Sequence, residues 1–428
     1  MYIAQAKLIQ QRGVRVSMYI PRRNLYWLLG ALSLVLIVLA HLIIVRLPIT
    51  YPAWIAAYWE PECDYLPDYT KGPTITATNA ILLEAATGTV LFAKNEHVRR
   101  PPASTTKILT ALLTLEEGNL ADIVTISQRA ANIRGSSARI HPRQRIPLGD
   151  LLHGLLLPSG NDAAIAIAEH LAGSEAEFVK KMNSRARELG AVNSHFANPH
   201  GLDHPSHYST AFDLAMITRV AMLYSQFGET VSKLQYDASF DGARWSWYNT
   251  NRLLLSFEGA EGVKTGTTGG AGYCLVAAAS RDGRRLVSVV LNSRNRWNDA
   301  ARLLEYGFQE FHLLPLSRQG HEIANIVIQE GLYQQVTGIA GKTVYKVVHN
   351  RDIDDIRSHV VIEKTNAPIR RGQRLGELLF TLNDQLIGEV PLLASHAVPR
   401  ATPFNLLLYW LKRLLTTSPK EHIQPETS

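Results

Sequence analysis

Apolar residues fall into distinct patterns along this chain, and each pattern predicts a different element. Residues 25–45 read LYWLLGALSLVLIVLAHLIIV, an almost unbroken apolar run. At about 21 residues it is long enough for a helix to cross the ~30 Å hydrocarbon core. Shorter runs bounded by turn signals predict strands: 80–83 and 90–92 around Thr87-Gly88, then 274–276 and 286–291 around Asp282-Gly283. Ile108, Leu109, Leu112 and Leu115 recur at helical spacing until Gly118 stops them; 151–157 is an apolar helical segment ending at Pro158, and an Ala-rich helix follows over 163–171. Beyond about residue 316 the pattern changes to short β-rich runs at 323–328, 343–348, 359–362, 376–382 and 386–390. Turns such as Glu330-Gly331, Asn350-Arg351-Asp352 and Asn383-Asp384 separate them. This predicts a small antiparallel β-domain. Near the end of the sequence, FNLLLYWLKRLL (404–415) places Phe404, Leu407, Leu408, Leu411, Leu414 and Leu415 on one helical face. Asn405, Tyr409, Lys412 and Arg413 fall on the other. Such a helix is too short to span a bilayer and suits its interface.

Composition narrows the class. The 428 residues are 46% hydrophobic and 19% charged, which supports a large core and excludes a wholly disordered chain. Two cysteines exclude a disulfide-rich scaffold and an all-thiolate zinc site. The net charge is +7, and Lys7, Arg12, Arg15, Arg22 and Arg23 all precede the first apolar run, while Glu60, Glu62, Asp64 and Asp68 follow it. The asymmetry predicts residues 1–24 in the cytoplasm and everything after Arg46 outside, at the cell membrane. The run is read as an uncleaved signal anchor rather than a cleaved signal peptide; Met18 is an alternative start. No basic stripe interleaved with aromatics appears elsewhere, so nucleic acid is not expected as a partner. The expected organisation is a basic N-terminus (1–24), an anchor (25–45), a linker (46–72), a main domain (73–315), the β-domain (316–401) and a membrane-associating helix and tail (402–428).

Three short motifs carry candidate chemistry. Ser104-Thr105-Thr106-Lys107 opens the first apolar helix, putting the serine and the lysine one turn apart on one face. A serine hydroxyl becomes a nucleophile when a base takes its proton, and a neutral lysine amine can be that base. Neutrality near pH 7.5 requires a pKa depression of about three units, which burial and a second cation supply. Free N–H groups at a helix start suit a developing oxyanion. Ser159-Gly160-Asn161 lies between two buried helices, where it can turn a hydroxyl and a carboxamide inward; an ordinary helix cap is the plainer reading. Lys264-Thr265-Gly266-Thr267-Thr268 precedes a strand hairpin, and its cation and hydroxyls suit a substrate carboxylate.

Each motif is weak alone, but the ordered set S-x-x-K, S-G-N, K-T-G is specific. With 81–91, 198–203, 209–213, 249–251 and 303–308, it makes residues 76–400 resemble the low-molecular-mass penicillin-binding proteins that are D-alanyl-D-alanine carboxypeptidases. The resemblance implies an α+β fold: a five-stranded antiparallel sheet with helices on both faces, a helical subregion holding Ser159, and a C-terminal all-β domain. It implies that Ser104 is acylated, Lys107 takes its proton, and Ser159 and Asn161 shuttle protons and hold the substrate amide. Lys264 would lower the pKa of Lys107 and, with Thr265, bind the substrate carboxylate. The N–H groups of Ser104 and Thr267 would form the oxyanion hole after Gly266, and Arg296 would meet the terminal carboxylate. The implied substrate is the stem pentapeptide of peptidoglycan, β-lactams are the implied inhibitors, and no metal or other cofactor is expected.

The competing readings use overlapping residues. A DD-endopeptidase or transpeptidase would use the same site with another acceptor. A serine β-lactamase also needs a deacylating carboxylate, and 193–201 carries none. A zinc hydrolase could draw on His195, His200, His204, His207 and Asp203, but H-E-x-x-H is absent. A non-catalytic wall-binding protein would have no need of the intact motif set.

Overall fold

The computed structural model describes residue 66 and residues 70–416, with side chains through 411. The predicted anchor at 25–45 lies outside the described residues. Among the described residues, no helix is long and apolar enough to cross a membrane.

The chain is α+β. Its first sheet contains β1 (Asn79–Glu84), β2 (Val90–Lys94), β3 (Ala260–Thr268), β4 (Gly272–Arg281) and β5 (Arg284–Ser293). Their spatial order is β2-β1-β5-β4-β3, with every pairing antiparallel. The turn between β4 and β5 has Asp282 and Gly283 both at positive φ (51° and 77°), the twist that a two-residue hairpin needs. Strands covered on both faces lose the apolar–polar alternation, which is why 286–291 reads as one continuous run and is buried throughout.

Eight helices complete the described part used below: α1 (Lys107–Glu117), α2 (Leu148–Leu156), α3 (Asn161–Ala172), α4 (Glu175–Glu188), α5 (Ala211–Ala221), α6 (Ser225–Ser232), α7 (Arg296–Glu310) and α8 (Pro403–Thr416). On one sheet face, Leu303 and Leu304 of α7 pack with Leu82, Leu91, Leu275 and Val290. Each such fully buried leucine contributes about 2 kcal/mol. The α5 helix packs against β5 and β1. Helices α1 to α4 form the helical subregion, with α2 and α3 joined by the S-G-N turn.

The second sheet is β7-β8-β12-β11-β10, with β7 (Glu322–Val327), β8 (Gln335–Ala340), β10 (Ile356–Ile362), β11 (Arg374–Leu382) and β12 (Gln385–Ala394). Two further strands, β6 (Phe311–Ser317) and β9 (Val344–His349), pair with each other. Five strands answer the five runs expected from sequence. β6 and β8 were not anticipated, since Pro315 interrupts the first and Gly338 the second. β6 runs straight through residue 316, where the sequence pattern first changes.

Helix α8 covers the expected 404–415 segment. Phe404, Leu407, Leu408 and Leu411 are exposed, and Phe404 and Leu407 stand 68% and 58% accessible. Tyr409, on the opposite side, meets Tyr333 edge-on at 5.9 Å, and the Asn405 amide donates to the Arg400 carbonyl at 2.8 Å. The polar face is therefore the one turned to the protein.

Candidate active site

Ser104 lies in a single 3-10 turn, Ala103–Thr106, that runs into α1, of which Lys107 is the first residue. The tighter turn replaces the regular α-helical start expected from sequence, yet it still brings the two side chains together. Lys107 Nζ is 3.0 Å from Ser104 Oγ, 2.7 Å from Asn161 Oδ1 and 2.6 Å from the His200 carbonyl. A neutral amine has two hydrogens and one lone pair. The two carbonyl-type oxygens accept both hydrogens, and the lone pair is left for the Ser104 hydroxyl to donate to. Lys107 is fully buried, and that burial, followed by the nearby Lys264 ammonium, holds its pKa well below the ordinary lysine value against an opposing pull from Asp162.

The close approach depends on three glycines. Gly201 has φ 89°, and a Cβ there would stand 1.9 Å from the Ala103 carbonyl oxygen. Its absence lets the 198–203 segment lie on the nucleophile turn and aim the His200 carbonyl at Lys107. At Gly266 a Cβ would come within 3.2 Å of the Ser104 nitrogen, so β3 runs directly beside that N–H. A Cβ at Gly135 would meet the Asn161 amide nitrogen at 2.7 Å. Two non-glycine residues carry backbone strain here, Ala103 (φ 50°) and Ser159 (φ 66°), at a cost of about 1–3 kcal/mol each. Ser159 is buried, and its hydroxyl has no hydrogen-bond partner among the described residues.

Asn161 is held from the other side. Its side-chain amide donates to the Arg134 carbonyl and its backbone N–H to the Ser136 carbonyl, both at 2.8 Å. The fully buried Asp162 fixes the same 134–140 loop, accepting from Ser137 Oγ at 2.5 Å and from the N–H groups of Ala138 (2.8 Å) and Ile140 (3.4 Å). Asp162 was not singled out in the sequence.

On β3, Lys264 is buried and donates to the Thr265 carbonyl at 3.1 Å. Burial, then the Arg296 guanidinium, lowers its pKa to about 7. Thr265 Oγ1 shares a hydrogen with Thr250 Oγ1 at 2.7 Å. Arg296, at the start of α7, donates to the Gly266 carbonyl and Thr267 Oγ1, both at 2.9 Å, and to the Cys274 carbonyl at 3.2 Å. The structure thus gathers Ser104, Lys107 and Asn161 by direct contact, and sets Lys264, Thr265, Gly266 and Thr267 on the adjoining strand, with Arg296 of α7 bonded to it.

The histidines serve other ends. His207 accepts the Ala197 N–H at Nδ1 (2.9 Å) and meets Thr106 Oγ1 with Nε2 (2.8 Å), so its neutral Nε2–H tautomer ties the nucleophile turn down. Burial lowers its pKa to about 4, and that of His200 to about 3. Asp203 accepts from Thr268 Oγ1 at 2.6 Å and from the Gly270 N–H at 3.0 Å. Among the described residues, no three His, Cys, Asp or Glu side chains group as metal ligands. Three contributors escaped the sequence reading: the His200 carbonyl, Thr250 and His207. The first two lie in segments noted for resemblance, while His207 was read only as a candidate zinc ligand; a backbone carbonyl has no residue-type signal.

A family model for D-alanyl-D-alanine carboxypeptidases (peptidase S11) matches residues 67–295. The chain belongs to the D-alanyl-D-alanine carboxypeptidase family. A model for the penicillin-binding protein 5 C-terminal domain matches residues 311–400. The family member described here is 33% identical over 336 residues to the carboxypeptidase DacF of Bacillus subtilis, covering 76% of this chain and 86% of the relative. It is 32% identical over 357 residues to DacA of Escherichia coli, covering 79% and 88%. Among solved structures, penicillin-binding protein 5 from Haemophilus influenzae superposes with a TM-score of 0.65 at 29% identity, covering 77% of this chain and 99% of that one. A DD-transpeptidase variant from Streptomyces K15 superposes at 0.53 with 38% identity, covering 55% and 99%.

Proposed function

We propose that this chain is a serine D-alanyl-D-alanine carboxypeptidase that removes the terminal D-alanine from peptidoglycan stem pentapeptides through an acyl-enzyme on Ser104. The observation that carries the reading is the environment of Lys107: a buried amine beside Ser104 Oγ, with two oxygens for its hydrogens and no carboxylate among its hydrogen-bond partners. Lys107 takes the Ser104 proton as Oγ attacks the penultimate D-Ala carbonyl. The N–H groups of Ser104 and Thr267 receive the oxyanion. Ser159, whose hydroxyl has no hydrogen-bond partner among the described residues, passes a proton to the departing amine. Lys264, Thr265 and Arg296 take the terminal carboxylate. Water then attacks the ester and releases the shortened peptide. Hydrogen bonds to the substrate amide fall to Asn161.

Transfer to an amine in place of water uses the same groups, and the likeness to a DD-transpeptidase keeps that reaction as the second reading. Fast β-lactam hydrolysis is disfavoured, because Asp203, the acid nearest in sequence to the 198–201 segment, is engaged with Thr268 and Gly270.

The enzyme works at the cell membrane with its catalytic domain on the extracytoplasmic side. The N-terminal apolar run anchors it, and the outward apolar face of α8 enters the bilayer interface; the unpartnered leucines there support this. Incubating the full chain with a fluorescent penicillin, beside Ser104→Ala, tests the chemistry. A stable adduct mapped by mass spectrometry to Ser104 and absent from the variant is the expected result. Penicillin turnover without an adduct would restore the β-lactamase, and no reaction at all would overturn the serine mechanism.

A further inference from the structure

Between Asp122 and Asp150 the chain carries Arg129, Arg134, Arg139, Arg143 and Arg145, with no acidic residue. Arg129 pairs with Glu175. The remaining four are exposed, and none of their guanidinium groups has an ion pair or hydrogen bond to a described residue. Asp241 accepts the backbone N–H of Arg145 at 2.7 Å rather than its side chain.

The loop that carries these charges stands on ordered backbone and borders the site through Arg134 and Ser136. The Arg134 and Ser136 carbonyls hold Asn161, and Asp162 fixes Ser137, Ala138 and Ile140. The indole N–H of Trp247 donates to the Ala138 carbonyl at 2.9 Å. Arg139 and Arg143 occupy left-handed conformations (φ 61° and 69°) that set their direction of projection. A cationic rim beside a cleft concentrates anionic substrate and raises its association rate by about 10- to 1000-fold, in a manner that salt screens.

We propose that Arg134, Arg139, Arg143 and Arg145 form a docking surface for the anionic peptide polymer that carries the D-Ala-D-Ala terminus, engaging carboxylates of the stem peptides beyond the one cleaved. The inference rests on the carboxypeptidase reading above. It assigns the rim to substrate selection, polymer over free short peptide, and not to the bond-breaking step.

The test compares the full chain with Arg139→Gln/Arg143→Gln/Arg145→Gln; Arg134 is left intact because its carbonyl holds Asn161. Two substrates are used. One is a diacylated tripeptide ending in D-Ala-D-Ala, whose only charge is the terminal carboxylate. The other is soluble uncrosslinked peptidoglycan with additional stem carboxylates. The expected result is a loss of about tenfold or more in kcat/KM on the polymer, with a flattened salt dependence. The tripeptide rate should stay within about twofold, and the matching Arg→Lys variant should recover the polymer rate and its salt dependence. Equal losses on both substrates, or none on the polymer, would overturn the proposal. So would loss of binding to phosphatidylglycerol vesicles with polymer kinetics unchanged, which would assign the rim to a lipid surface. Failure of the unaltered chain to cleave the tripeptide would instead count against the carboxypeptidase reading.

Discussion

Replacing Lys264 with methionine should make the protein more stable and less active, and the gain should fade as pH rises. Lys264 is 1% exposed, and its pKa falls from 10.5 to about 7. In the unfolded chain the amine titrates near its ordinary value, so below about pH 7 both states carry the charge and the native state bears the whole burial cost. That cost is about 5 kcal/mol at about 1.4 kcal/mol per pH unit. Between pH 7 and 10.5 the unfolded state binds the extra proton, so native stability rises with pH. The burial cost shrinks to about 3 kcal/mol at pH 8 and to less than about 1 kcal/mol at pH 10. Methionine keeps the unbranched stem and removes the charge. Guanidinium unfolding of Lys264→Met and the unaltered chain at pH 6, 8 and 10 measures the difference. The variant should lead by several kcal/mol at pH 6 and by less than about 1 kcal/mol at pH 10, while its kcat/KM on a D-Ala-D-Ala peptide collapses. A stability difference that does not change with pH, or a variant less stable at pH 6, would refute the burial argument.

Other consequences are equally direct. Gly201→Ala forces a methyl to within 1.9 Å of the Ala103 carbonyl, so thermal stability and the rate of penicillin acylation should fall together; an unchanged acylation rate would show that the nucleophile turn tolerates the displacement. His207, with a native pKa of about 4 against an ordinary 6.5, binds fewer protons folded than unfolded between those values. Stability should therefore drop by up to about 3 kcal/mol as pH falls through that window, and His207→Gln should flatten that part of the curve in denaturant titrations. Leu407→Asp/Leu411→Asp should abolish co-flotation of residues 70–428 with anionic vesicles and leave hydrolysis of a soluble peptide intact.

Residue type and periodicity made much of this molecule legible. The Asp282-Gly283 and Asn383-Asp384 dipeptides marked hairpins that the structure contains, because both require positive φ at consecutive positions. The apolar spacing after Lys107 gave α1, and the leucines of α8 gave its faces. β6 and β8 escaped because Pro315 and Gly338 break the β-rich signal, while pairing to β9 and β12 overrides local propensity. Within the site, Ser104, Lys107, Asn161 and Lys264 announced themselves as side chains in motifs. The His200 carbonyl could not, since every residue has one, and its importance is set by a glycine whose only signal is the missing Cβ. Asp162 carried no signal of its own, because a capping carboxylate and a loop-fixing carboxylate have the same sequence appearance.

The order of the first sheet has a temporal consequence. Strand β1 begins at Asn79, yet one of its two partners is β5, where Asn79 lies opposite Leu291. Some 200 residues must emerge before that seam can close. Until then, β1 and β2 form only a two-stranded ribbon, which is marginal in water by itself. The nucleophile is made early, at position 104, but β3 and Arg296 arrive more than 150 residues later. A nascent chain therefore carries an inert serine while about 190 further residues are made. The catalytic cleft forms late, after nearly the whole α+β unit is available to fold, and long-range closure of this kind is slow.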